Sequence, residues 1–139
     1  MKITKPIFIL VLTFTLHTAA AQNSAPLKVV MAMNQGDSIN QRWLTRQLYN
    51  LKIALPEAEV EVVCYGPGLR TLIDASCIIK EDIARLQEKG IVFAACENSM
   101  GSAQVTVENL VPRCTTVRAG IAELVLKQAQ GWQYVDACK

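Results

Sequence analysis

Short apolar runs of strand-forming residues alternate with stretches of helical periodicity along almost the whole chain, and this alternation constrains the fold more than any other feature. The first run is Leu27 to Met33, bounded by Asn34-Gln35-Gly36-Asp37. The second, Val60 to Cys64, is closed by Tyr65-Gly66-Pro67-Gly68, and the third, Ile91 to Ala95, delivers Cys96 to polar Glu97-Asn98-Ser99. Thr115-Thr116-Val117 and Trp132 to Val135 read as two shorter strands. Between the runs, Leu44, Leu48, Leu51 and Leu55 share one helical face before Pro56. Ile79, Ile83 and Leu86 mark a second amphipathic helix ended by Gly90. Ile121, Leu124 and Val125 mark the inner face of a last helix that ends at Gly131. Strands alternating with helices are the signature of βαβ units and a mostly parallel sheet. The expectation is therefore one three-layer α/β domain with about five strands, without repeats, low-complexity tracts or an interdomain linker.

Local signals refine the boundaries. Ser38 with Gln41 has the spacing of a capping box for the first helix. Leu69 to Ile73 fits a single helical turn, and Thr106 fits the cap of a short helix over Val107 to Leu110. Elsewhere between Met100 and Pro112 the pattern is weak.

The first 21 residues read as a leader rather than as part of the fold. Lys2 and Lys5 form a basic start, Ile7 to Leu16 is nearly all apolar, and Ala19-Ala20-Ala21 supplies a small-residue cleavage site. The apolar run falls well short of the ~20 residues of a spanning helix. The expected product is a periplasmic or secreted domain of residues 22–139, not membrane-bound after cleavage, with a mobile polar start over Gln22 to Pro26. Both leader lysines leave, so 12 of the 14 basic residues remain against 12 acidic ones and the net charge falls from +2 to zero. A neutral chain gives no electrostatic reason to expect nucleic acid as a partner.

The sole histidine, His17, leaves with the leader, which removes Cys-His and Ser-His pairs and every histidine-containing metal site. All five cysteines stay: Cys64, Cys77, Cys96, Cys114 and Cys138. None form a C-x-x-C pair, so neither a thioredoxin-type motif nor a zinc ribbon is indicated, and neither metal nor cofactor is expected. An odd count leaves at least one thiol unpaired, while Cys64, Cys77, Cys114 and Cys138 allow three pairings or none. A Cys64–Cys96 bridge is disfavoured if a strand separates them, since two strand spacings of ~9–10 Å exceed the ~7 Å Cα limit of a disulfide.

Cys96 is the candidate chemical group. It ends a buried strand, where ligands bind in open α/β sheets, and a following turn into helix would offer it backbone N–H groups. The competing reading is a packed small hydrophobe, since free cysteine is often buried. The strand-end crevice would also draw on Asn34, Gly66, Gly68, Glu97 and Asn98. Gly66-Pro67-Gly68 does not make a dinucleotide fingerprint, because Thr71 stands where a third glycine belongs; it reads as a sharp turn whose amides can meet a small anion. Arg113 and Arg118 flank a strand and could place a cation near a thiolate, although such residues usually lie at the surface. Trp43 and Tyr49 fall partly off the leucine face, which suits either the core or a subunit contact.

Several segments together resemble the DsrE/DsrF-like family, specifically its short exported members. They are Lys28 to Met33, Val60 to Gly68, Leu86 to Cys96 with Asn98-Ser99-Met100, Ala119 to Leu124, Lys127-Gln128 and Gly131 to Val135. The resemblance spans about Lys28 to Val135. It implies a flavodoxin-like α/β/α fold assembled as a homo-oligomer, a trimer or hexamer. It also implies sulfur relay, in which a cysteine after a central strand carries a persulfide between a donor and an acceptor protein; Cys96 stands at that position. Two features depart from the pattern: the export leader and the four additional cysteines. Three functions follow as expectations: an exported sulfur carrier or sulfurtransferase using Cys96, a non-catalytic oligomeric binder of a small ligand, or a thiol–disulfide participant.

Overall fold

The computed structural model describes residues 25–139, so the leader reading of residues 1–21 and the start at 22–24 lie outside the described residues. Five strands form one parallel sheet: β1 (Lys28–Met33), β2 (Glu59–Cys64), β3 (Ile91–Cys96), β4 (Thr115–Val117) and β5 (Gln133–Asp136). Their spatial order is β4-β3-β2-β1-β5. Helices α1 (Ser38–Ala54), α2 (Lys80–Glu88), α3 (Glu97–Ala103) and α4 (Gly120–Ala129) connect them. The layering is flavodoxin-like, as expected, while the order differs from the 2-1-3-4-5 of flavodoxin itself. The chain moves outward from β1 to β4, then crosses back to place β5 on the free side of β1. Strand direction of travel therefore reverses between β1 and β5.

Alternation along the strands assigns the two faces. Val29, Met31, Met33, Val60, Val62, Cys64, Ile91, Phe93 and Ala95 pack with Leu44 and Leu48 of α1 and Ile83 and Leu86 of α2 into the larger core. Val30, Ala32 and Val63 pack with Leu124 of α4 into a much smaller one. A single helix thus covers the second face, and Val92 on that face stays partly exposed.

Three expectations about local structure need correction. Asp37, not Ser38, caps α1: its carboxylate accepts from the N–H groups of Ile39 and Asn40 at 2.9 and 3.1 Å. The Asn40 side-chain amide, donating to it at 2.6 Å, together with the cap bonds holds its carboxyl below the usual range. Gln41 is buried instead, donating to the carbonyls of Gly36 (2.8 Å) and Ser76 (3.2 Å) and accepting from Ile78 N–H (2.9 Å). Stitching the loop before α2 to α1 satisfies more buried groups than a solvent-side cap would. Leu55 is the C-cap and partly exposed, because α1 ends before its side chain turns inward.

The inner face of α4 is also shifted. Gly120 and Leu124 are buried, whereas Ile121, Val125 and Leu126 are 58%, 59% and 55% exposed. Lys127 explains the rotation: its ammonium pairs with buried Glu61 of β2 and lies 4.2 Å from the Trp132 ring centroid. A buried carboxylate demands a partner, and meeting it turns the aliphatic side chains outward. Finally, α3 was not legible as a helix, since Glu-Asn-Ser-Met-Gly-Ser-Ala carries one buried residue, Met100.

Candidate functional site

Cys96 is the last residue of β3 and the N-cap of α3. Strand β3 is central, flanked by β2 and β4, so its end is fixed on both sides. Cys96 points to the sheet face that α4 covers, and the N–H of Gly120, the first residue of α4, donates to its sulfur at 3.2 Å. The Ser99 side chain and the backbone N–H groups of Ser99 and Asn98 also favour the charged form of the sulfur. The Ser99 hydroxyl oxygen in turn accepts from Gly66 N–H at 2.8 Å. Contacts therefore run from the loop after β2, through Ser99, to the sulfur.

Burial alone would push the thiol up, but these contacts outweigh it and the Cys96 pKa lies below its ordinary value of 9.0. The other shifted thiols move the opposite way. Burial and neighbouring thiols raise Cys64 well above 9.0, burial raises Cys77, and burial with Cys77 nearby pushes Cys114 up to about 12. All five cysteines are free. Cys64 and Cys96 lie on adjacent strands, so no strand separates them; they stay apart because Cys64 faces the large core and Cys96 the opposite side.

The residue Cys96 itself is 4% exposed. Next to it, against Asn98 and Ser99, lies an open cavity of about 360 Å³ lined by Gly66, Asn98, Ser99, Ser102 and Ala103. Gly66 and Asn98, both expected at the crevice, do meet there. Gly66 adopts φ = +53°, a left-handed conformation natural to glycine, as it delivers its N–H to Ser99.

The other expected crevice residues are placed elsewhere. Asn34 ends β1, two strands from β3, and its side-chain oxygen accepts from the Cys138 thiol at 3.1 Å. Gly68 is buried under the end of β1, where a Cβ would stand 1.9 Å from the Met33 carbonyl oxygen; its role is close packing. Glu97 points toward β4 and accepts from the Thr116 hydroxyl at 2.8 Å. Arg113 donates to the Ala84 carbonyl, away from the thiol. Sequence reasoning missed Ser99 and Gly120. Ser99 carried a signal, since a residue three positions after a cap is where capping boxes close. Gly120 carried none, being 24 positions away.

Among the described residues, no group of histidine, cysteine or acidic side chains is placed to hold a metal ion, and no helix is long and apolar enough to cross a membrane. No family model matches the sequence, and no curated protein matches it. Among solved structures, the chain is similar to the protein of unknown function MTH1491 from Methanobacterium thermoautotrophicum. The two are 26% identical with a TM-score of 0.75, over 79% of this chain and 98% of that one. The likeness supports the α/β fold, and that protein's name carries no activity.

Proposed function

We propose that this protein is an exported sulfur carrier of the DsrE/DsrF type, with Cys96 as the sulfur-bearing thiolate. The carrying observation is the Gly120 N–H donating to the Cys96 sulfur at the strand end, with Ser99 and Asn98 beside it favouring the charged form. Hydrogen bonds to the charged form favour it, and the thiolate is the nucleophilic state of cysteine. In the forward step the Cys96 thiolate attacks the outer sulfur of a donor persulfide. A new S–S bond forms at Cys96 as the donor S–S bond breaks, the donor leaves as its thiolate, and the sulfane sulfur changes hands without net oxidation. Attack on the carried sulfur by an acceptor reverses the sequence.

Mass spectrometry tests the reading. After exposure to a small-molecule persulfide, the Cys96 peptide gains one sulfur atom, which cyanide removes as thiocyanate, and Cys96→Ala abolishes the gain. A Cys96 that stays unmodified in folded protein refutes it. The 4% exposure of Cys96 favours a second reading, a non-catalytic binder of a small polar ligand in the neighbouring cavity. That reading takes over if Cys96 is inert while the cavity residues respond to ligand.

Self-association belongs to the same proposal. The outward face of α4 carries Ile121, Val125 and Leu126, with Tyr134 of β5 exposed alongside. A helix apolar on its outer as well as inner side is normally covered. Exposed apolar and aromatic side chains of this kind are what subunit contacts cover. A second copy of the chain is the occupant proposed here.

A further inference from the structure

A shallow groove of about 310 Å³ lies between α1 and the segment that follows β5, lined by Ile39, Arg42, Trp43, Arg46 and Lys139. Its position is informative before its chemistry is considered. Helix α1 leaves the end of β1 and the tail leaves the end of β5, so the groove flanks the strand pair where the chain's direction of travel reverses. In open α/β sheets such switch points are where ligands bind. Cys96, at the end of β3, lies away from it.

The charged side chains that line it are all cationic. Arg42, Arg46 and Lys139 bring three cations together, and none of them is in an ion pair among the described residues. The Arg46 guanidinium sits 5.6 Å and the Lys139 ammonium 5.9 Å from the Trp43 ring centroid. Lys139 is held there: its N–H donates to Asn40 Oδ1 at 2.7 Å, and Asn40 is itself buried and tied to Asp37 at 2.6 Å. Arg42 and Arg46 are spaced i,i+4, an arrangement that weakens a helix when the charges are alike. Both also lie in the N-terminal half of α1, where the N-cap Asp37 is occupied by its bonds to Ile39 and Asn40 and is not paired with either arginine. Residues 25–139 hold 12 basic and 12 acidic residues, so with Arg42, Arg46 and Lys139 set apart the rest of the domain carries 9 basic against 12 acidic residues. Concentrated positive charge of this kind is relieved by a bound anion. Ile39, 63% exposed, and the Trp43 ring add an apolar surface between the cations.

We propose that this groove binds an extended acidic segment of a partner protein, with its carboxylates on Arg42, Arg46 and Lys139 and an apolar side chain against Ile39 and Trp43. A small molecule is the poorer fit, since small-ligand sites enclose most of their occupant and this groove is open along its length. Arginine favours carboxylates through paired, planar hydrogen bonds. The inference is independent of the chemistry at Cys96.

The test uses the purified protein and a synthetic peptide, Glu-Glu-Leu-Phe-Glu-Glu. Controls are the same peptide with lysines for glutamates and free glutamate. Calorimetry and Trp43 emission, isolated by Trp132→Phe, report binding. The acidic peptide is expected to bind saturably and to weaken with added salt. The double variant R42A/R46A is expected to weaken it by about tenfold or more, while its thermal midpoint holds or rises as the like-charge pair is removed. Reaction of Cys96 with iodoacetamide should be unchanged in that variant, so failure here and failure of the sulfur reading are separable. No saturable binding, equal binding of the lysine peptide, equal binding of free glutamate, or wild-type affinity in R42A/R46A would each overturn the proposal.

Discussion

Replacing Ser99 by Ala removes a hydroxyl that favours the charged Cys96 sulfur and leaves the backbone N–H groups in place. A hydrogen bond to a charged group contributes about 1.5–3 kcal/mol, and each pKa unit corresponds to about 1.4 kcal/mol. The substitution should therefore raise the Cys96 pKa. The sign fixes the pH dependence of reactivity. Below the wild-type pKa the thiolate fraction of Ser99→Ala is lower by about tenfold to a hundredfold, and above the raised pKa the two proteins converge. The assay is the rate of iodoacetamide modification of the Cys96 peptide, followed by mass spectrometry across pH. Buried Cys64 and half-buried Cys114, both shifted upward, stay silent over much of that range. The Gly66 N–H that loses its acceptor is solvent-accessible, so water replaces Ser99 there and stability should change little. Superimposable pH–rate profiles for the two proteins would refute the claim that the hydroxyl holds the thiolate.

Four further outcomes follow from the same geometry. Gly120→Ala places a Cβ 2.7 Å from Tyr65 Cβ and 3.3 Å from Val63 Cγ1, and overpacking of this kind costs about 1–3 kcal/mol, measured by urea unfolding. Thr71 is fully buried with its hydroxyl unpartnered, so Thr71→Val should hold or raise stability by about 1 kcal/mol in the same assay. Cys114 rises from 9.0 to about 12 on folding, so unfolded chains lose this proton first; stability should be fully present below pH 9 and fall as pH climbs toward 12, and Cys114→Ala should flatten that slope. Ile121→Glu with Val125→Lys should lower the mass found by light scattering without unfolding the domain, whereas an unchanged mass would remove α4 as a subunit contact.

The sheet was legible because parallel strands buried on both faces read as near-continuous apolar runs. Val29 to Met33, Val62 to Cys64 and Phe93 to Cys96 are all buried, and each stands out in the sequence. Helix α4 was misread because periodicity reports only where apolar residues recur. With Ile121, Leu124, Val125 and Leu126 all apolar, the facing direction was decided by Glu61, some 60 positions earlier, and its need for Lys127. The capping of α1 was misassigned for a related reason: Gln41 matched a local pattern, yet its better partners were Ser76 and Ile78, which only the fold brings near.

The candidate site divides along the same line. Cys96, Gly66 and Asn98 were visible because strand ends and sharp turns are local features, and topology brought them to one rim. Asn34 and Gly68 are equally good strand-end residues, but strand order sends them to β1, where one meets Cys138 and the other packs on backbone. What separates a strand-end cysteine from a reactive one is the set of donors at its sulfur. Ser99 arrives through the following turn and Gly120 through a crossover from β4. Of the two, Gly120 is the more telling, because a side chain there would press on Tyr65 and push the N–H of α4 away from the thiol. On the proposed sulfur chemistry, a glycine that looks like an ordinary helix start becomes a requirement. Gly120→Ala should accordingly raise the Cys96 pKa as well as destabilise the fold. If destabilisation occurs with the thiol's pH–rate profile unmoved, the glycine serves packing alone and the sulfur is held by the α3 turn without help from α4.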